Sequence, residues 1–102
     1  MSNKAEEAGV FDFIVSGAGS AGAAVAARLS EDGRYSVLLL EAGPPDRNPW
    51  IHIPLGFAKV YANSAINWCF ESQPQERLNG RKFFVPRGKT LGGTSSINGM
   101  VY

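Results

Sequence analysis

Apolar positions fall into a few dense blocks separated by glycine- and proline-rich stretches. Phe11 to Ser16, FDFIVS, is an aromatic and β-branched run that stops at Gly17, and it predicts a short buried strand. GAGSAG follows, and then AGAAVAARLS, in which Ala21, Val25 and Leu29 share one face at helical spacing. Alanine is the strongest helix former, so this stretch predicts a helix that ends at the polar turn Glu31-Asp32-Gly33-Arg34. Tyr35 to Glu41, YSVLLLE, is apolar on both faces and of strand length, which suits a central parallel strand. Residues 11–41 thus read as strand, glycine turn, helix, strand: a βαβ unit near its minimum size of about 30 residues.

Past Gly43 the texture changes. Pro44, Pro45, Pro49 and Pro54 rule out a regular helix and predict a long surface loop. Gly56 to Asn63 predicts a short helix, and Asn67–Ser72 and Lys82–Val85 predict two strands. Asn79-Gly80 between them is a hairpin-turn dipeptide, so the two strands are expected to form an antiparallel ribbon. Gly88 to Gly93 begins a second glycine-rich loop, and Thr94, Ser95 or Ser96 could cap a helix that these residues leave no room to finish. Residues 1–10 are polar and expected to be a flexible tail.

Composition narrows the class. The chain has 102 residues, 44% hydrophobic and 19% charged, which suits a small domain or part of one and excludes intrinsic disorder. A formal net charge of +1 gives no global field for nucleic acid or anionic lipid, and neither is expected as a partner. The longest uncharged stretch, Phe13 to Ala27, holds three glycines and falls short of the ~20 apolar residues of a membrane span. Cys69 is the single cysteine, so no internal disulfide framework exists, and a cytoplasmic location is the expectation. Charge is uneven along the chain. Residues 1–46 carry three basic and seven acidic side chains, whereas residues 47–102 carry seven basic and two acidic. Five of the basic residues lie between Arg77 and Lys89, without an acid, which fits either a solvated hairpin or a surface facing a polyanionic cofactor or an acidic partner domain.

Gly17-Ala18-Gly19-Ser20-Ala21-Gly22 matches G-x-G-x-x-G in its required context, after a strand and before a helix. Gly17 permits the tight turn, Gly19 lets a pyrophosphate approach the backbone, and Gly22 allows helix to pack closely on strand. Glu41, 19 residues past Gly22, ends the second strand. An acid there accepts hydrogen bonds from a ribose and repels a 2′-phosphate, which disfavours NADP. The fold class is therefore α/β, an incomplete Rossmann-like unit followed by a long loop and a β-hairpin. The βαβ unit by itself does not separate NAD from FAD, since both carry ADP. The second glycine cluster, GKTLGGTSSINGMVY, combines a backbone free to lie against a flat ring or phosphate with the hydroxyls of Thr94, Ser95 and Ser96 and the amide of Asn98.

FDFIVSGAGSAG, LLLEAG, NWCFESQPQ, LNGR and PRGKTLGGTSSINGMVY, in that order and spacing, resemble the N-terminal succession of the glucose–methanol–choline oxidoreductases, nearest in flavour to their choline dehydrogenase-like branch. The resemblance covers residues 11–102 and implies the N-terminal part of an FAD-binding domain in a flavin-dependent alcohol dehydrogenase or oxidase. It implies that Gly17, Gly19, Ser20, Ala21 and Gly22 hold the FAD diphosphate, and that Glu41, with Ala42 beside it, takes the adenosine ribose. It further implies that Gly92 and Gly93 pass close to the flavin end and that Asn98, Gly99, Met100 and Val101 line the isoalloxazine. Trp68 is either a tryptophan that approaches the cofactor or a core aromatic. Ile97 occupies the position at which some members carry a histidine bonded to the flavin, so FAD is expected to be non-covalent.

The family's substrate domain and catalytic histidine pair have no counterpart here, so no catalytic residue and no metal ligand is assigned. His52, the single histidine, is expected to be structural, and Cys69 an apolar filler on a strand. The expected partners are FAD and an alcohol, the latter through the rest of the polypeptide or a second chain, with this piece inactive alone. Two alternatives remain open: an FAD-containing lyase of the same family, and a free-standing nucleotide-binding module without catalysis. An NAD-dependent dehydrogenase is disfavoured, because a proline-rich loop and a hairpin follow Glu41 where further strands and helices should.

Overall fold

The computed structural model describes residues 7–100. Strand β1 (Phe13–Ser16) runs parallel to β2 (Val37–Leu40), with Phe13 opposite Val37 and Ser16 opposite Leu40. Helix α1 (Ser20–Ser30) connects them and packs on one face. This is the expected βαβ unit, with both strands trimmed at their ends. At the entrance, the Asp12 carboxylate accepts from the Ser36 backbone N–H at 2.7 Å and from its hydroxyl at 2.9 Å, which fixes the register without extending the ladder. At the exit, Glu41 leaves the strand because its carboxylate turns back to the glycine turn. The expectation that β2 is central is not met among the described residues, where it pairs with β1 alone. Ile14 remains 64% exposed and Leu40 48%, a bare apolar face for so short a sheet.

The proline-rich stretch forms a 3-10 turn at Pro49–Ile51, where Asn48 Oδ1 caps Trp50 N–H at 3.0 Å. A second 3-10 turn, Pro54–Gly56, leads into α2 (Phe57–Tyr61). Val60 of α2 joins Ile66 and Ile97 in a small buried core, with Ile51 packed against it.

The ribbon is shorter than expected. β3 (Phe70–Glu71) pairs antiparallel with β4 (Phe84–Val85), flanked by isolated bridges between Asn67 and Gly88 and between Gln75 and Arg81. Cys69 explains the loss, because its φ of +51° is left-handed and interrupts the strand that was read through it. The Asn79-Gly80 turn sits where expected, with φ of +56° and +72°, although a 3-10 turn at Glu76–Leu78 precedes it.

No helix forms after the second glycine cluster among the described residues; Gly93–Ser96 is a 3-10 turn. Thr94, Ser95 and Ser96 lie inside that turn and make none of the expected capping bonds. Instead Thr94 Oγ1 accepts from Gly88 N–H at 3.2 Å and Ser96 Oγ donates to the Leu91 carbonyl at 2.8 Å. Most of the tail expectation, and Val101 with Tyr102, lie outside the described residues; residues 7–10 have no regular structure. No helix of the described residues is long and apolar enough to cross a membrane.

Candidate dinucleotide site

The site begins at the junction of β1 and α1. Gly17 N–H still bonds to the Leu40 carbonyl at 2.7 Å, and its φ of +95° then turns the chain sharply. Gly19 is the N-cap of α1 and brings no side-chain acceptor, so the first-turn N–H groups of the helix stay available to an anion. A Cβ at Gly19 would meet nothing within 4 Å, whereas one at Gly22 would lie 1.9 Å from the Gly17 carbonyl oxygen. The second glycine therefore keeps space open for a ligand, and the third lets the helix rest on the turn.

Glu41 holds this turn from the opposite side. Its Oε2 accepts from Ala18 N–H and its Oε1 from Gly43 N–H, each at 2.9 Å. Each carboxylate oxygen keeps a second lone pair for a ribose hydroxyl. Sequence reasoning gave Glu41 a ligand; the structure adds that it ties the glycine turn to the exit of β2.

The second glycine segment closes over the same place. Gly92 N–H bonds to the Ala18 carbonyl at 2.8 Å, and Gly93 packs so closely on Gly19 that a Cβ would come within 2.9 Å of the Gly19 Cα. Ser95 Oγ is hydrogen-bonded to Ser20 Oγ. Thr90, fully buried, donates its hydroxyl to the Pro44 carbonyl at 2.8 Å. Two segments some 70 residues apart are thus laced together around one cleft of about 650 Å³. Gly93 lies directly against Gly19 of the glycine turn.

Of the residues singled out from sequence, Gly17, Gly19, Glu41, Ala42, Trp68 and Gly93 line the cleft. Ser20, Ala21 and Gly22 stand just behind on α1, and Gly92 supports the turn from outside. Asn98 and Met100 line a separate small hollow with Trp50, Ile53 and Phe57. Asn98 Oδ1 accepts from Met100 N–H at 2.9 Å there, and Gly99 is the exposed residue between them. His52 bonds through Nε2 to the Asp46 carbonyl, outside the lining of the cleft.

Gly88 and Thr94 of the second glycine cluster also line the cleft, and Ser16, Leu40, Phe70 and Arg87, which sequence reasoning missed, complete the lining. Two of them carried a signal. Phe70 alternates with Trp68 and stacks on it, with rings 5.8 Å apart and 5° from parallel. Arg87 belongs to the basic run that could face a polyanion. No cluster of His, Cys, Asp or Glu among the described residues could hold a metal.

A strand, glycine turn and helix with an uncapped N-terminus, next to a carboxylate at the end of the second strand, define a dinucleotide-binding α/β protein. Comparison with known proteins narrows this further. Residues 11–102 match the GMC oxidoreductase family, and the chain belongs to it. It is 57% identical over 93 residues to an alcohol dehydrogenase [acceptor] of Pseudomonas putida, covering 91% of this chain and 17% of that protein. It is 52% identical over 91 residues to an oxygen-dependent choline dehydrogenase of Brucella ovis, covering 89% of this chain and again 17% of the relative. Among solved structures, pyridoxine 4-oxidase from Mesorbium loti superposes with a TM-score of 0.82 at 36% identity, covering 89% of this chain and 18% of that one. An Aspergillus oryzae formate oxidase, from a structure concerned with FAD modification, gives 0.80 at 36% identity, covering 92% and 17%. The chain therefore spans about a sixth of the length of these relatives.

Proposed function

We propose that this chain is the FAD-binding segment of a flavin-dependent oxidoreductase acting on the CH–OH group of an alcohol. The observation that carries the reading is the shared cleft: the glycine turn before α1 and the loop around Gly88 and Gly93 form its walls, with Glu41 at its rim. A turn–helix unit suffices for any ADP-containing cofactor; the second wall is what the family resemblance assigns to a flavin.

The residues fit the cofactor. The free N–H groups at the start of α1 and the open space over Gly19 suit a diphosphate, and the spare lone pairs of Glu41 suit the adenosine ribose. Ile97 is 2% exposed and carries no nucleophile, which supports non-covalent attachment. Bound FAD supplies the hydride acceptor for oxidation of an alcohol carbon to a carbonyl. This chain's part is to bind and orient. Among the described residues it offers no base at the cleft, whose one carboxylate, Glu41, is engaged by two backbone N–H groups. The substrate pocket and the proton acceptor belong to the remainder of the protein.

Titration of FAD into the folded chain tests this. Flavin fluorescence should be quenched, ADP should reverse the quenching by competing for the nucleotide half, and riboflavin should bind far more weakly. Quenching indifferent to ADP, or no quenching by a chain shown to be folded, would overturn the reading.

A further inference from the structure

We infer that Arg87 supplies the positive charge that faces the cofactor diphosphate, from the wall formed by the loop around Gly88 and Gly93. The inference rests on the dinucleotide reading above and adds a residue to it.

A diphosphate brings two negative charges into a cleft whose other charged lining residue is the carboxylate of Glu41. The first turn of α1 carries no charged side chain, so the helix contributes about half an elementary charge and no more. Something else must offset the remaining charge, together with the repulsion from Glu41. Among the described residues Arg87 is the one cation in the cleft lining, alongside Gly17, Gly19, Gly93 and Thr94.

Three other cations of the basic run have partners of their own, and none of them is in the cleft lining. Arg81 lies over the Phe83 ring at 4.7 Å, Lys82 pairs with Glu71 at 3.4 Å, and Lys89 sits 4.7 Å from the Trp68 ring centroid. Among the described residues Arg87 makes no ion pair. Its guanidinium has one bond, from Nη1 to the neighbouring Pro86 carbonyl at 2.7 Å, which leaves most of its five donors unused.

The backbone beneath it is fixed from both ends. Arg87 N–H donates to Asn67 Oδ1 at 3.1 Å, and the Arg87 carbonyl accepts from Trp68 N–H at 2.9 Å. Asn67 is 2% exposed and spends its amide on this work, with Nδ2 donating to the Tyr61 carbonyl and Oδ1 also accepting from Cys69 N–H. A buried residue thus fixes the backbone from which this cation extends at the cleft. A planar guanidinium that donates two parallel N–H bonds is the side chain best matched to phosphate oxygens.

The test is calorimetric titration of the chain with ADP and with adenosine, at low and high salt. Arg87→Gln should weaken ADP roughly tenfold, as loss of a charge-assisted contact does, and remove most of the salt dependence while adenosine binding stays unchanged. Arg87→Lys should restore part of the loss. Arg81→Gln, which removes a charge outside the cleft, should bind ADP like the parent. Arg87→Met keeps the aliphatic stem and should reproduce the Gln result if that variant is poorly folded. ADP affinity unchanged in both neutral variants, or adenosine weakened in the same proportion as ADP, would overturn the proposal. A folded parent chain that binds neither ADP nor FAD would instead overturn the dinucleotide reading, and this inference with it.

Discussion

The carboxylate of Glu41 and the backbone N–H of Ala18 meet at 2.9 Å across 23 positions of chain. One bond thereby joins the end of β2 to the turn that starts α1. The other carboxylate oxygen secures Gly43, whose missing side chain lets the loop at Lys89 cross within contact distance. The proposed ribose ligand is therefore also a folding residue.

Glu41→Gln separates these roles in part. A glutamine keeps one acceptor but presents its NH₂ to a backbone N–H, so one of the two bonds is lost. The expected cost is about 1–3 kcal/mol of stability, read from the urea midpoint, together with weaker FAD binding. An unchanged midpoint would show that the clip carries no weight.

Gly19→Ala and Gly22→Ala should divide ligand from fold. At Gly19 the φ of −78° suits alanine and the new methyl meets no protein atom. Unfolding should shift by less than about 0.5 kcal/mol, while FAD affinity falls at least tenfold. At Gly22 the methyl would lie 1.9 Å from a fixed carbonyl, so the turn must move, at a cost of about 1–3 kcal/mol. Equal loss of stability in both variants would refute the assignment of Gly19 to ligand space.

Much of this was legible in the sequence because it follows from local chemistry. The β1–α1–β2 order came from periodicity and alanine content, and the Asn79-Gly80 turn from a dipeptide that tolerates left-handed backbone. What stayed hidden depends on contacts between distant segments. Thr94 looked like a helix cap because its hydroxyl could serve one; its partner, Gly88 N–H, is set by how the loop folds on itself. Cys69 fitted an apolar strand pattern, and its left-handed backbone answers to the buried Asn67 before it, which binds the Cys69 N–H. The bare face of the sheet was foreseeable in kind, since two strands cannot cover themselves.

Asn67→Ala should be among the costlier polar substitutions. It strands the Tyr61 carbonyl and the N–H groups of Cys69 and Arg87. A loss of about 2–4 kcal/mol is expected in chemical denaturation, and the positions of Trp68 and Arg87 should loosen with it. Slower hydrogen exchange at Cys69 and Arg87 in the variant than in the parent would contradict this.

Acid should weaken the β1–β2 entrance. Hydrogen bonds from the Ser36 backbone, and then from its hydroxyl, hold the Asp12 carboxyl below its ordinary value, and those from Arg34 do the same at Asp32. A folded-state pKa below the unfolded one means that the stabilisation is complete above the ordinary carboxylate range and is lost as pH falls through the lowered value. Thermal unfolding followed from pH 6 downward should decline below roughly pH 4, and Asp12→Asn should flatten that decline. A parent and variant with parallel acid limbs would remove Asp12 from the account.

The contact of Gly93 on Gly19 also orders events at the ribosome. The first wall emerges and can curl into its turn while some seventy residues are still to be added. Over that interval the nascent chain carries half a cradle, and closure of the cleft waits until translation delivers the second half.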